Sequence, residues 1–233
     1  MGTLVTYRLA DPVATITMDD GKVNVLSPAM LAELDGALDR AAADGAVVVL
    51  TSAARAFSAG FDLNVLARGG AEAYAMVRAG FTLAARLLSF PRPVVIACPG
   101  PAVAMGAFLL LSGDYRVGAD GPYTIVANEV ALGVTMPRPA IEICRHRLAP
   151  AHFNRAVLLA EAYPPGEAAA AGFLDRVVPG ADLGATARAI ATGLAALDLD
   201  AHAASKLAVR DQLLASIRAA VESEAGVGIT PRG

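Results

Sequence analysis

Two segments of the chain share a pattern that could hold a negatively charged oxygen. Each has an apolar run that predicts a buried strand, then small residues, then an apolar helix pattern; they span residues 46–63 and 93–108. The first N–H groups of a helix lack partners within it, and small residues let a ligand approach them. If the two helix starts converge, their N–H groups can stabilise an anion. Small-residue turns of this kind are also common where they serve only packing. The pattern alone therefore suggests an anion site and does not establish one.

A single acidic residue stands out as a candidate acid or base. Glu129 lies within the otherwise uncharged run 125–132. A lone carboxylate is costly to bury, which favours a functional role over a solvent-facing strand end. Partial desolvation would raise its pKa and suit it to proton transfer near neutrality. Glu142 is a second candidate, but its place on the helix pattern after Pro139 favours a solvated face.

Other kinds of chemistry have little support in the sequence. The histidines His146, His152 and His202 lack a partner His or Cys at a zinc-motif spacing, so no metal site is expected. A Gly-x-Ser-x-Gly elbow, a Walker loop and a dinucleotide-binding glycine pattern are all missing. Hydrolase, nucleotide-binding and zinc functions are therefore disfavoured.

Composition narrows the class of protein further. The 233 residues are 55% hydrophobic, with 19 basic and 22 acidic side chains, a net charge of −3 and a mean hydropathy of +0.52. This excludes intrinsic disorder and disfavours nucleic-acid binding. Cys98 and Cys144 are too few for a disulfide scaffold. The apolar excess must lie in a membrane, in a large core or at an oligomer interface.

A membrane span is the first of these to test. Residues 93–113 carry no charge and are long enough to cross a bilayer. Pro99-Gly100-Pro101 interrupts the run, however, so it is better interpreted as a buried strand, a turn and a buried helix. The amino terminus lacks a secretory signal pattern. We therefore expect a cytoplasmic protein without a membrane anchor. All basic residues other than Lys22 and Lys206 are Arg, which is typical of a GC-rich bacterial genome.

Periodicity predicts an α/β core followed by a helical region. Asp11-Pro12 separates two strand patterns that indicate a hairpin, and Ser27-Pro28 indicates a helix start that ends at Gly45. From about Pro139 onward, only helix or loop is predicted. The predicted strands are 4–9, 13–18, 46–53, 93–98, 115–117 and 123–126, and the predicted helices before Pro139 are 28–45, 65–90 and 105–112.

Five segments resemble, in order and at family spacings, the motifs of the crotonase, or enoyl-CoA hydratase/isomerase, family. They are residues 21–26, 57–63, 100–114, 128–134 and 172–178. The resemblance implies an α/β fold, a spiral of ββα units over residues 1–178, with a helical trimerisation region at 179–233. It also implies an acyl-CoA thioester substrate, no prosthetic group, and homotrimers that often pair into hexamers.

The resemblance also implies roles for individual residues. It places two oxyanion-hole donors at the backbone N–H of Phe61 and at that of Met105 or its neighbour Gly106; many relatives have Gly at position 105. Lys22 could equally be an ordinary solvated lysine. The positions that match CoA-contacting segments are Lys22, Val23, Val25, Ala59, Gly60, Asp62 and Leu63.

One departure from the family pattern narrows the expected reaction. Hydratases of the family use two Glu residues; the second falls on Glu129, but the first falls on Phe108, six residues before Asp114. A single Glu resembles the Δ3,Δ2-enoyl-CoA isomerases, in which Glu129 would move a proton from C2 to C4. Two alternatives stay open: a single-Glu enoyl-CoA hydratase of fatty-acid β-oxidation, and an acyl-CoA-binding protein without turnover.

Overall fold

The computed structural model describes residues 2–223, which form an α/β fold. The strands are β1 (Val5–Ala10), β2 (Val13–Met18), β3 (Val25–Leu26), β4 (Val47–Ser52), β5 (Gly60–Phe61), β6 (Val94–Cys98), β7 (Ala102–Val103), β8 (Tyr115–Ala119), β9 (Ile125–Val126) and β10 (Arg176–Val178). The helices are α1 (Pro28–Ala43), α2 (Leu63–Arg68), α3 (Gly70–Ser89), α4 (Met105–Leu111), α5 (Arg138–Arg147), α6 (Pro150–Leu159), α7 (Pro165–Ala171), α8 (Leu183–Leu194), α9 (Leu199–Val209) and α10 (Asp211–Glu222).

Six strands form the main sheet in the order β1-β2-β4-β6-β8-β10, in which β1 and β2 are antiparallel and the other neighbours parallel. Both faces are buried. Ile16, Leu50 and Ile96 face the core that contains α1, α3 and α4, whereas Val49 and Val95 face α8. Burial on both faces explains why these strands read as continuous apolar runs.

A second set of short strands follows the main ones. β3 pairs with β5 and β7 pairs with β9, both parallel, and a bridge between Ser58 and Ala102 connects the two pairs. Each unit consists of a long strand, a short strand and a helix: β2-β3-α1, β4-β5-α2, β6-β7-α4 and β8-β9-α5. The predicted spiral of ββα units is therefore confirmed.

The structure confirms most element predictions and corrects two. Ser27 caps α1 by accepting a hydrogen bond from the Met30 N–H at 3.2 Å. The helix predicted over 65–90 is broken, because Gly69 and Gly70 adopt φ of +63° and +70° between α2 and α3. The prediction of only helix or loop after Pro139 was wrong, since β10 pairs with β8 at the sheet edge. Its three residues are too short to show a strand period.

The helices after β10 pack back onto the same chain. α8 covers the second face of the main sheet, and α10 lies against α3 and α5. The Asp114 carboxylate holds this region through Lys206 Nζ at 2.6 Å and Arg210 Nη2 at 2.8 Å. Between residues 2 and 223, no helix is both long and apolar enough to cross a membrane.

Candidate active site

The two strand-to-helix junctions predicted from the sequence lie in direct contact. Gly60 has φ +85°, and a Cβ there would lie 2.9 Å from the Val103 carbonyl oxygen and 3.5 Å from the Met105 nitrogen. A Cβ at Gly106 would lie 2.5 Å from the Ser58 carbonyl oxygen. Because both positions lack a side chain, the backbone before Phe61 reaches the start of α4. The structure thus brings Phe61, Met105 and Gly106 together.

The start of α4 has an unusual backbone conformation. Ala104 adopts φ +52° and ψ −123°, which is uncommon for a residue with a Cβ and stores strain. Its N–H donates to the Val126 carbonyl at 2.9 Å, which fixes the turn against β9. Within residues 2–223, the N–H groups of Met105 and Gly106 find no acceptor, as expected for the first helical residues. They are available to an anionic oxygen.

Glu129 follows β9 at the same edge of the small strands. Because β7 and β9 are parallel, their carboxyl ends lie side by side, with Met105 after one and Glu129 after the other. Glu129 is 7% exposed, and its Oε2 atom is buried without a hydrogen-bond partner in the described part of the chain. Burial raises the pKa of this carboxyl from 4.5 to about 7. Glu129 can thus gain or lose a proton near neutrality.

Two side chains beside Glu129 were not predicted to be near a site. Cys144 on α5 is fully buried; burial raises the pKa of its thiol, and the nearby Glu129 carboxylate raises it further. The thiol is therefore uncharged. The Asn128 Oδ1 atom is also buried, and it too has no partner in residues 2–223. Neither of these two groups stabilises the negative charge of Glu129, whereas its own backbone N–H does and opposes the effect of burial.

Phe108 forms part of an aromatic wall. It is 1% exposed and stacks on Phe81 with ring centroids 6.3 Å apart, and Phe81 meets the edge of Phe61 at 6.4 Å. A phenyl ring cannot transfer a proton or orient a water by accepting its hydrogen bond. Position 108 therefore supplies packing and no acid–base group.

Glu142 is engaged elsewhere. Its carboxylate lies 3.5 Å from Arg138 Nε and 3.6 Å from Arg145 Nε, both on its own helix α5. These contacts agree with the predicted helix-face role. In the described residues, no group of three or more His, Cys, Asp or Glu side chains could hold a metal ion.

Comparisons with known proteins now identify the family. The family model described as enoyl-CoA hydratase/isomerase matches residues 8–228. The chain belongs to the enoyl-CoA hydratase/isomerase family. Members of this family act on CoA thioesters without a prosthetic group, and the chain is an enzyme of the isomerase/lyase class.

Individual family members divide between two reaction names. A probable enoyl-CoA hydratase from Rhodobacter capsulatus is 32% identical over 88% of this chain and 80% of its own length. An enoyl-CoA isomerase structure from Mycobacterium tuberculosis is 46% identical, with a TM-score of 0.92 over 97% of this chain and 99% of that one. Human mitochondrial Δ3-Δ2-enoyl-CoA isomerase is 31% identical, with a TM-score of 0.88 over 96% and 89%. These names support the family and leave the reaction to be assigned from the site.

The residues predicted to contact CoA lie along the β3–β5 pair of this family member. Val25 pairs with Gly60, and the Ala59 N–H donates to the Val23 carbonyl at 3.0 Å. Asp62 instead caps α2 by accepting a hydrogen bond from the Asn64 N–H at 2.9 Å. Leu63 lies beside it and is 70% exposed. These residues form one continuous edge.

A cleft of about 590 Å³ lies next to this edge. It contains Lys22 and also the exposed Arg55, which sequence reasoning missed although Arg55 lies two residues before the first oxyanion motif. Two cationic side chains in one cleft can bind phosphate groups. The lining residues are Asp19, Gly21, Lys22, Val23, Ala53, Ala54 and Arg55.

The buried Asn24 joins this cleft to the first junction and was also missed. It has φ +54°, and its Nδ2 donates to Ser52 Oγ at 2.6 Å and to the Phe57 carbonyl at 3.3 Å. Its Oδ1 accepts the Asp20 N–H at 3.0 Å. Asparagine tolerates this backbone conformation better than most residues, because its short side chain forms local hydrogen bonds. Asn24 thus fixes the loop that carries Lys22.

Proposed function

We propose that this enzyme shifts the double bond of a 3-enoyl-CoA to give the 2-enoyl-CoA, with Glu129 as the proton shuttle. The observation that carries the proposal is a single buried carboxylate, Glu129, whose Oε2 has no partner in residues 2–223. Glu129 follows β9, and the parallel partner strand β7 leads to the free N–H groups at the start of α4. Phe108 stands where the resemblance would place a second carboxylate.

The chemistry requires one base and one anion site. Glu129 removes a proton from C2, and the C–H electron pair forms the C1–C2 double bond of an enolate while charge moves to the thioester oxygen. The N–H groups of Phe61 and of Met105 or Gly106 would hold that oxygen, each contributing about 3–4 kcal/mol in the transition state. The thioester C=O bond then re-forms, the C1–C2 double bond shifts to C2–C3, and the electron pair of the former C3–C4 double bond takes the proton back from Glu129 at C4.

The raised pKa of Glu129 supports both halves of this cycle. A carboxyl whose pKa is about 7 accepts a proton more readily than one at 4.5, and still releases it. Hydration would also need a water molecule fixed on the alkene by a second acid–base group, and the buried ring of Phe108 cannot provide it. One carboxylate therefore fits isomerisation better.

A single-Glu hydratase is the second candidate, because a relative that aligns with 88% of this chain is named a probable enoyl-CoA hydratase. The two are separated by supplying cis-3-enoyl-CoA and trans-2-enoyl-CoA to the same preparation and identifying the products by chromatography. We expect 2-enoyl-CoA from the first substrate and only slow formation of 3-hydroxyacyl-CoA from the second. Faster hydration than isomerisation would assign the hydratase instead. Tight acyl-CoA binding with no product from either would assign a binding protein.

We also propose that Lys22 and Arg55 bind the phosphate groups of CoA. Replacing both by Ala should raise KM for the CoA thioester about tenfold and leave kcat nearly unchanged, because the cleft lies outside the reacting centre. The effect should shrink at high salt, since both side chains are exposed. The control is Arg188→Ala, an exposed arginine on α8, which packs on the opposite face of the sheet. Equal KM values for all three proteins would refute the proposal.

The apolar excess leads to a proposal about assembly. We propose that residues 1–178 form the spiral core, that 179–233 contribute to trimerisation, and that the protein is a homotrimer or a hexamer; Met1 and residues 224–233 lie outside the described residues. Val209, at the end of α9, is 74% exposed, and Leu159, at the end of α6, is 73% exposed. Sedimentation velocity at micromolar concentration should give three or six times the chain mass. Val209→Glu and Leu159→Glu should reduce it, and a wild-type monomer would overturn the proposal.

A further inference from the structure

Gly80 leaves a notch in the buried face of α3, and the ring of Phe61 fills it. A Cβ at Gly80 would lie 2.5 Å from Cε1 and 2.6 Å from Cζ of Phe61. Non-bonded carbon atoms pack at about 3.5–4.0 Å, so a methyl group and the ring cannot both occupy these places. The φ of Gly80 is one that any residue adopts in a helix. Glycine at position 80 therefore matters because it has no Cβ, and not because of its backbone conformation.

The ring in this notch is also packed against a second ring and has little free space around it. Phe61 is 7% exposed and also contacts the ring of Phe81, with a centroid distance of 6.4 Å and an interplanar angle of 73°. Only two side-chain torsions connect the ring to the β5 backbone, and the interior around it is close-packed. The same Cβ at Gly80 would lie 3.6 Å from Met105 Cγ. The notch thus borders both residues whose N–H groups are the proposed anion donors.

We propose that Gly80 is a positioning residue for the oxyanion hole: by admitting the Phe61 ring, it sets the distance between the N–H groups of Phe61 and Met105. This inference rests on the proposed function, because it assigns Gly80 an effect on donors that the isomerisation needs. Gly80 itself contacts no reacting atom. Its role is carried entirely through Phe61 and Met105.

The direct test is Gly80→Ala. Displacing a catalytic group by about 1 Å can cost on the order of 10²-fold, so we expect kcat for 3-enoyl-CoA to fall ten- to a hundredfold. KM should stay within about twofold, because the cleft that contains Lys22 is untouched. The control is Gly36→Ala on α1, where an added Cβ meets nothing within 4 Å. It should leave kcat unchanged, and an unchanged kcat in Gly80→Ala would overturn the proposal.

A double-variant cycle separates positioning from a general packing defect. Phe61→Ala removes the ring and keeps the backbone N–H. The kcat of this single variant is the reference for the double variant. In that background the notch is empty, and Gly80→Ala should cost less than about twofold. A loss as large as in the wild-type background would contradict the proposal. Should Gly80→Ala fail to fold, the double variant still decides, because it must fold and match Phe61→Ala in rate.

A spectroscopic probe distinguishes failure of this inference from failure of the proposed function. Acetoacetyl-CoA forms an enolate that absorbs in the near ultraviolet, and donors aimed at its thioester oxygen favour that form. We expect the bound enolate signal in the wild-type enzyme and its loss in Gly80→Ala, with CoA itself binding equally to both in calorimetry. A wild-type enzyme that binds CoA without an enolate signal would refute the anion site itself. Equal enolate signals in both proteins would refute only the role of Gly80.

Discussion

Glu129→Gln should lower the rate of 3-enoyl-CoA isomerisation between 10²- and 10⁴-fold, the range for loss of a general acid–base group. Gln has nearly the same size and cannot take the C2 proton. Acyl-CoA affinity should stay within about threefold, because the N–H donors at Met105 and Gly106 are backbone groups. Turnover is measured from the products by chromatography, and affinity by calorimetry with a saturated acyl-CoA.

The matched control for this variant is Glu142→Gln. Glu142 is the other candidate carboxylate in the sequence, and it is 19% exposed and paired with Arg138 and Arg145 on its own helix α5. Its substitution should change kcat by less than twofold. Equal rates for the wild type and Glu129→Gln would remove Glu129 as the base. Loss of acyl-CoA binding in Glu129→Gln would show a structural role.

The pH dependence provides an independent readout of the same residue. Because the carboxylate is the base and its pKa is about 7 when buried, kcat/KM should rise with pH through about 7.

The folding stability should decrease as the pH rises. The folded-state pKa lies above the ordinary value of 4.5, so the folded protein binds more protons than the unfolded protein between these two pKa values. The free energy of unfolding therefore falls as the pH rises from about 4.5 to about 7. A shift of this size corresponds to about 3 kcal/mol. Glu129→Gln should lack both dependences.

The sequence predicts the long elements because their burial leaves a periodic or continuous apolar signal. β4, β6 and α4 are examples. Both β6 and α4 lie within the uncharged run 93–113, which is long enough to resemble a membrane span. The two-residue strands β3, β5, β7 and β9 carry no period, so only the structure reveals that they join the repeated units. β10 was missed for the same reason.

Prediction of the site had a similar limit. Helix-start chemistry pointed to the two strand-to-helix junctions and a lone acidic residue to Glu129, and both properties are local. The assignment of Met105 came from the family resemblance. Gly80 was not found, because its proposed role depends on a ring nineteen residues away in the chain. Arg55 and Asn24 likewise have ordinary local sequences and acquire roles only where loops meet. Contacts between distant segments are the part that one sequence cannot supply.

Asp114→Asn should lower the free energy of unfolding by about 3–5 kcal/mol, the cost of breaking a buried ion pair from one side. The Asp114 side chain is 13% exposed, and those of Lys206 and Arg210 are 3% and 8% exposed. Asp114 Oδ2 also accepts the Val94 N–H at 2.7 Å. Asn cannot balance the two cations, so both charges lose their counter-charge in a buried place or the C-terminal helices must move. Urea unfolding measures the loss.

The partners of Asp114 allow the charge effect to be isolated. Burial already lowers the pKa of Lys206 to about 8, although Asp114 opposes this shift. Lys206→Met should therefore cost less than Asp114→Asn, because Arg210 still balances the carboxylate, and it should recover part of the loss when combined with Asp114→Asn. Glu72→Gln, which breaks an exposed pair with Arg68, should cost less than about 0.5 kcal/mol. If Asp114→Asn cost no more than Glu72→Gln, the ion pairs of Asp114 would not be what holds α9 and α10. A loss in the expected range, with activity retained below the unfolding midpoint, would show that this charge cluster secures the helices behind α3 without acting on the reacting centre.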